Sequence, residues 1–189
     1  MQTSTRKEEI IKVASKLFKE RGYSAVSMRD IAQSLGIRAA SLYNHIESKQ
    51  EILSVLIMDL ACNFTSEMNA IKHTDLSPLQ KIQKLIELHI DITVYASEAL
   101  AALNNDWMHL EGTDYTNFGE MRDDYEEDFR TIIKEGINIG EIGPRHPEVI
   151  LFSILSTLRT LYIWHEKRGK LDVNVLKKEM VAVLIKGIV

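Results

Sequence analysis

A chain of 189 residues with 45% hydrophobic residues is long enough for one or two domains with a buried core. Three prolines, nine glycines and a chain rich in Leu, Ile, Lys and Glu argue against a β-rich protein and predict an all-α fold of about nine helices. No apolar run approaches the roughly 18–20 residues that cross a bilayer, MQTSTRKEEI carries no apolar signal core, and the single Cys62 permits neither an internal disulfide nor a cysteine-based zinc site. The expectation is a cytoplasmic protein with no membrane contact, cofactor or metal, and with Cys62 buried on a helix.

The net charge of −4 is unevenly divided. Residues 1–50 hold nine Lys/Arg against five Asp/Glu, a net of +4, which leaves −8 for the remainder. Such a chain turns its N-terminal end toward phosphates and its body away from them.

Thr5-x-x-Glu8 is a capping-box pattern, so a first helix is expected from about Arg6 to Arg21, ending at Gly22. Ile10, Val13, Ala14, Leu17 and Phe18 give it one apolar stripe. A second helix starts at Ser27 with Asp30 three residues on, and a third is expected from about Ala39 to His45. A long fourth helix opens after Ser48 and runs to about Ile71. Ser77-Pro78 opens a fifth near 78–96, with proline where its missing N–H is harmless. Further helices are expected at about 98–110, 115–139, 147–167 and 173–187. These elements divide into a DNA-binding domain at 1–47 and a helical body at 48–189, with the fourth helix as lever.

Residues 27–46, SMRDIAQSLGIRAASLYNHI, carry the most specific signal. Ala32 lets two short helices pack closely, Gly36 takes the tight turn, and Ile31, Leu35, Ile37 and Leu42 form the apolar side between them. This is the pattern of a helix-turn-helix, whose second helix enters the major groove of double-stranded DNA. The residues expected at DNA are Ser27, Arg29, Arg38, Ala39, Ala40, Ser41, Tyr43, Asn44, His45 and Lys49. Arg38 and Asn44 have the side chains that pair with guanine and adenine edges. Tyr43, Lys49 and Ser27 are expected at phosphates, with covering of the small core as the alternative for Tyr43 and His45.

Phe18-x-x-x-Gly22-Tyr23, the run from Ser27 to Ala32, and Ser41-Leu42-Tyr43-Asn44-His45-Ile46 with Ser48-Lys49 together resemble the TetR family of transcriptional repressors, over about residues 6–60. Ile46 stands where the family usually has phenylalanine, and Ala39-Ala40 where Lys-Gly or similar pairs are common. The resemblance implies that residues 61–189 form a ligand-binding and dimerisation body.

Within that body, the stretch from Val149 to Ile163 is apolar on nearly every face, and Val175, Leu176, Met180, Val183 and Leu184 form a second stripe. Two such helices from each of two subunits would make a homodimer interface, with a buried core in the monomer as the alternative. His89, Tyr95, Asn105, Trp107, Met108, His109, Phe118, Met121, Arg122, Tyr125, Phe129 and Trp164 are the candidate lining of a pocket for a hydrophobic small-molecule effector. The segment Leu161-Tyr162-Ile163-Trp164-His165 with Arg168-Gly169-Lys170-Leu171 is similar to the end of the penultimate helix in family members that sense fatty acyl-CoA, and tilts the effector toward that class over aromatic or drug-like molecules. No nucleophile and base, carboxylate pair or His pair at i, i+4 spacing supports an enzyme. The rival expectation is a structural DNA-binding protein without ligand sensing.

Overall fold

A computed structural model describes residues 5–167 and 171–189. Among them run nine α-helices: α1 (Arg6–Arg21), α2 (Met28–Ser34), α3 (Ala39–Leu42), α4 (Lys49–Lys72), α5 (Pro78–Tyr95), α6 (Ser97–Asn105), α7 (Gly112–Asn138), α8 (Pro147–Lys167) and α9 (Val173–Lys186). Two 3₁₀ turns, Tyr23–Ala25 and Trp107–His109, complete the regular structure, and no strand occurs among the described residues. The all-α expectation stands. Arg168, Gly169 and Lys170 lie outside the described residues.

Local chemistry accounts for most boundaries. Thr5 and Glu8 cap α1 reciprocally, Ser27 and Asp30 cap α2, and Ser77 and Gln80 cap α5, each pair satisfying backbone N–H groups that the first helical turn leaves free. Asp172 accepts from the N–H groups of Asn174 and Val175 at the start of α9. Gly36, at φ 67°, takes the left-handed turn between α2 and α3.

Three helices differ from expectation, the seventh by starting at Gly112 rather than near 115. The third was expected through His45 and stops at Leu42; Tyr43, Asn44 and His45 form a turn. Arg38 gives α3 no side-chain cap, and Tyr, Asn and His are modest helix formers, so neither end of this element propagates. The sixth breaks at Asp106 into α6 and the 3₁₀ turn at Trp107–His109.

The chain forms two compact units, Met1–Ala61 with Glu98–Gly119, and Cys62–Ser97 with Glu120–Val189. The boundary expected at 47/48 falls inside the first, and α4 and α7 each contribute residues to both. In the first unit α1 and α3 both pack against α2, burying Ile10, Phe18, Ile31, Ala32, Leu42 and Ile46. In the second, α5 packs against α8 and α9 and buries Ile82, Leu85, Ile86 and Ile90; Phe129, Ile133, Ile154, Leu158 and Leu176 are also buried there. Each large apolar side chain removed from water contributes about 1.5–3 kcal/mol before chain entropy is counted. Cys62, expected to be buried, is exposed on α4. The buried residues Leu60, Ala61, Phe64 and Met68 define the inward stripe of this part of α4, and position 62 falls outside it.

Candidate nucleic-acid interface and buried polar site

The helix-turn-helix presents its polar residues outward. Leu42 and Ile46 are buried beneath the second element, while Arg38, Ala40, Tyr43, Asn44 and His45 are exposed and Ala39 and Ser41 half-buried. Tyr43 is 56% exposed, so it does not cover the small core, and neither does His45. Arg29 is exposed at the first turn of α2. Ser27 is exposed at the cap, where Asp30 accepts from both its N–H and its hydroxyl. Those hydrogen bonds hold the Asp30 carboxyl below the usual carboxylate range.

Lys49 departs from its expected place at a phosphate. Its ammonium donates to the carbonyl oxygens of Tyr23 (2.9 Å) and Val26 (2.8 Å) and lies 4.1 Å from the centre of the Tyr23 ring. The Tyr23 carbonyl also accepts from the Val26 N–H at 3.2 Å, and a half-buried cation at the head of α4 meets both carbonyls at once. Burial lowers the Lys49 pKa, and the charge of Asp106 opposes that shift.

The same corner holds three residues expected elsewhere or not at all: His109, Gln50 and Asp106. The Tyr23 hydroxyl donates to Gln50 Oε1 at 2.8 Å, Gln50 Nε2 donates to the His109 carbonyl at 2.9 Å, and the His109 ring stacks on Tyr23 with centroids 5.3 Å apart. Asp106 is buried beside them; desolvation raises its pKa, while a hydrogen bond from the Tyr23 backbone and the charges of His109 and Lys49 pull it back. His109, placed among the effector-contacting residues by sequence, is therefore part of the DNA-reading unit's own packing.

The remaining candidate ligand residues separate between the units. Trp107 lies against Phe118 (5.8 Å) and stacks on Tyr115 (5.9 Å) in the first, with Met108 and Asn105 exposed. In the second, His89, Tyr125 and Phe129 are buried together with Phe64. His89 Nε2 and the Tyr125 hydroxyl are 3.0 Å apart, the Phe64 ring is 4.7 Å from His89 and 5.8 Å from Tyr125, and Phe129 is 6.5 Å from Tyr125. Met121 and Arg122 are half-buried, whereas Tyr95 and Trp164 are exposed, at 73% and 45%.

Electrostatics keep the His89–Tyr125 pair uncharged. Burial, and secondarily the charge of Arg159, pushes the His89 pKa down to about 3; burial also raises that of Tyr125 despite Arg159. Arg159 donates to Glu126 at 2.6 Å, and Arg122 approaches the same carboxylate at 3.5 Å. Burial works against the charged form of Glu126, but these two guanidiniums hold its carboxyl below the usual range.

Phe64, Thr93 and Arg159 escaped the sequence reading. Thr93 lies four residues after His89 on the same face of α5, a spacing that alone pointed to it. Its hydroxyl is fully buried and has no hydrogen-bond partner among the described residues. No group of three or more His, Cys, Asp or Glu among the described residues could hold a metal ion, and no helix among them is long and apolar enough to cross a membrane.

Comparison with known proteins agrees with this architecture. Residues 10–56 match the bacterial regulatory proteins of the tetR family, and residues 75–188 match the tetracyclin repressor-like C-terminal domain. The HTH-type transcriptional repressor KstR2 of Mycolicibacterium smegmatis is 23% identical over 189 residues, spanning 99% of this chain and 92% of the relative. The structure of the ketosteroid transcriptional regulator KstR2 of Mycobacterium tuberculosis superposes with a TM-score of 0.91 at 22% identity, covering 99% and 96% of the two chains. AibR, solved in complex with isovaleryl coenzyme A and operator DNA, superposes with a TM-score of 0.81 at 22% identity, covering 96% and 98%.

An all-α chain with an exposed helix-turn-helix face and a matching C-terminal domain is a DNA-binding transcription regulator. It belongs to the TetR family.

Proposed function

We propose that this regulator is a cytoplasmic repressor that binds a palindromic operator as a homodimer and is released by a hydrophobic small molecule. The observation that carries the reading is the exposed set Arg38, Tyr43, Asn44 and His45 above a closed core of Leu42 and Ile46. Arg38 and Asn44 read base edges, and Tyr43 and Arg29 hold phosphates, while the Ser27 N–H and hydroxyl are taken by Asp30. Lys49 acts indirectly, by fixing the loop that sets the angle of α2.

Dimerisation draws support from α8. Its inner face buries Ile150, Ile154 and Leu158, yet Val149, Phe152, Ile163 and Trp164 remain exposed, with Phe152 at 70%, as do Val175 and Val183 on α9. Large apolar side chains left in water on two helices that both pack on α5 are the mark of an interface. A two-fold partner also suits half-sites one turn of DNA apart.

The effector reading rests on the buried polar site of the second unit, which a purely structural DNA-binding protein has no need to keep. A fatty acyl-CoA is the class we favour; AibR's complex with isovaleryl coenzyme A is a precedent within the same fold. Effector and DNA then select different dimer states, and each lowers affinity for the other equally.

Fluorescence anisotropy with DNA from the gene's own upstream region tests this. Specific binding released by a metabolite extract is expected. Asn44→Ala should cost about 1–3 kcal/mol at one base position and relax preference there. Unchanged operator preference in Asn44→Ala would refute the base-reader assignment, and DNA affinity indifferent to every extract would refute the sensor.

A further inference from the structure

We propose that His89, Thr93 and Tyr125 form a subsite for an uncharged oxygen, a carbonyl or hydroxyl, on the apolar portion of the effector; the proposal rests on the sensor reading above. The first reason is the Thr93 hydroxyl, 1% exposed and without a partner among the described residues. A helical threonine or serine commonly donates to the carbonyl four residues back. Ser153, Thr157 and Thr160 on α8 do so, at 2.7, 2.8 and 2.9 Å. Thr93 does not, so a donor and acceptor stands idle inside the protein, where unmatched polar groups are rare.

The second reason is what lies one turn away on the same face of α5. His89 and Tyr125 share a single hydrogen bond at 3.0 Å, and whichever of them donates, the Tyr125 oxygen retains further hydrogen-bonding capacity. Phe64 and Phe129 close the surroundings with apolar surface. An incoming carbonyl could accept from Thr93 or from the His–Tyr pair, and a hydroxyl could donate or accept.

The third reason concerns charge. Arg159, the cation that acts on both His89 and Tyr125, is matched by Glu126 at 2.6 Å, and Arg122 shares that carboxylate. A carboxylate ligand would have to compete with Glu126 for the two guanidiniums or be buried without an ionic partner. A ketone, ester, thioester or alcohol demands neither.

The test uses the full chain with ¹⁵N-labelled histidine at pH 7.5 and three probes of one shape: cyclohexanone, cyclohexanol and cyclohexanecarboxylate. The two neutral probes are expected to shift the His89 ring resonances and to bind at least about tenfold tighter than the carboxylate, the gap left by an uncompensated charge. Thr93→Val should weaken the neutral probes and raise the melting temperature of the ligand-free chain, because an idle hydroxyl is replaced by a methyl group of similar shape. The proposal is overturned if the carboxylate binds as well as the neutral probes, if none of the three moves His89, or if Thr93→Val lowers the melting temperature. Its failure is separable from that of the sensor: extract-dependent DNA release with no probe at His89 removes the subsite alone, and probe binding with DNA affinity unmoved by any extract keeps the subsite and removes the sensor.

Discussion

Around Tyr23, polar side chains end on backbone: Lys49 on two carbonyls, Gln50 on the His109 carbonyl, with the Tyr23 hydroxyl closing the set. Around His89 the one bond runs between two side chains from helices distant in sequence, and the Thr93 hydroxyl next to it on α5 is left over. Backbone partners cannot turn away, so the first arrangement has one geometry and nothing to gain from a guest. The second is closed by rotatable groups and carries an unmet hydrogen bond, so it gains by accepting one.

The contrast can be broken most forcefully at Lys49. Lys49→Ala removes two charge-assisted hydrogen bonds and a cation–π contact and should cost about 3 kcal/mol in chemical denaturation of the full chain. A loss below about 1 kcal/mol would mean that the corner is no anchor.

Per pH unit, the next effect in size is the acid response of the second unit. The His89 pKa is lowered to about 3 in the folded chain from an ordinary 6.5, so between these values the unfolded chain holds a proton that the folded one refuses. Stability from this source is complete above pH 6.5 and falls as pH drops toward 3, with a slope approaching about 1.4 kcal/mol per pH unit. His89→Leu should flatten the acid limb by that slope; an unchanged limb would place the titration elsewhere.

Paired hydroxyl deletions sharpen the comparison with smaller effects. Tyr125→Phe strands a buried imidazole nitrogen and should cost about 2 kcal/mol, whereas Tyr23→Phe leaves a half-buried glutamine that keeps its bond to His109 and should cost about 1 kcal/mol or less. Equal costs would erase the distinction between the two sites.

How much of this was legible in the sequence follows from the range of each interaction. The capping boxes at Thr5, Ser27 and Ser77 act over three residues, and they placed α1, α2 and α5 almost to the residue. The exposure of Cys62 could have been read from the spacing of Leu60, Phe64 and Met68. By contrast, Lys49 meets carbonyls 23 and 26 residues earlier, and no local pattern distinguishes such a lysine from one that waits for phosphate. His89 and Tyr125 were both nominated from composition, but their pairing spans 36 residues. His109 and Phe118 were nominated on the same grounds, and packing assigned them to the other unit.

The two long helices that serve both units bear on how such regulators can be recombined. Segment 98–119 clusters with the DNA-reading end of the chain although it is separated from it by 36 residues of the other unit. A chimera that transplants residues 1–47 alone therefore strips Tyr23 of Lys49, Gln50 and His109 together. Exchange of operator preference between relatives is better made by substituting Arg38 to His45 in place than by swapping heads, because the modular boundary in space does not coincide with any single cut in the gene.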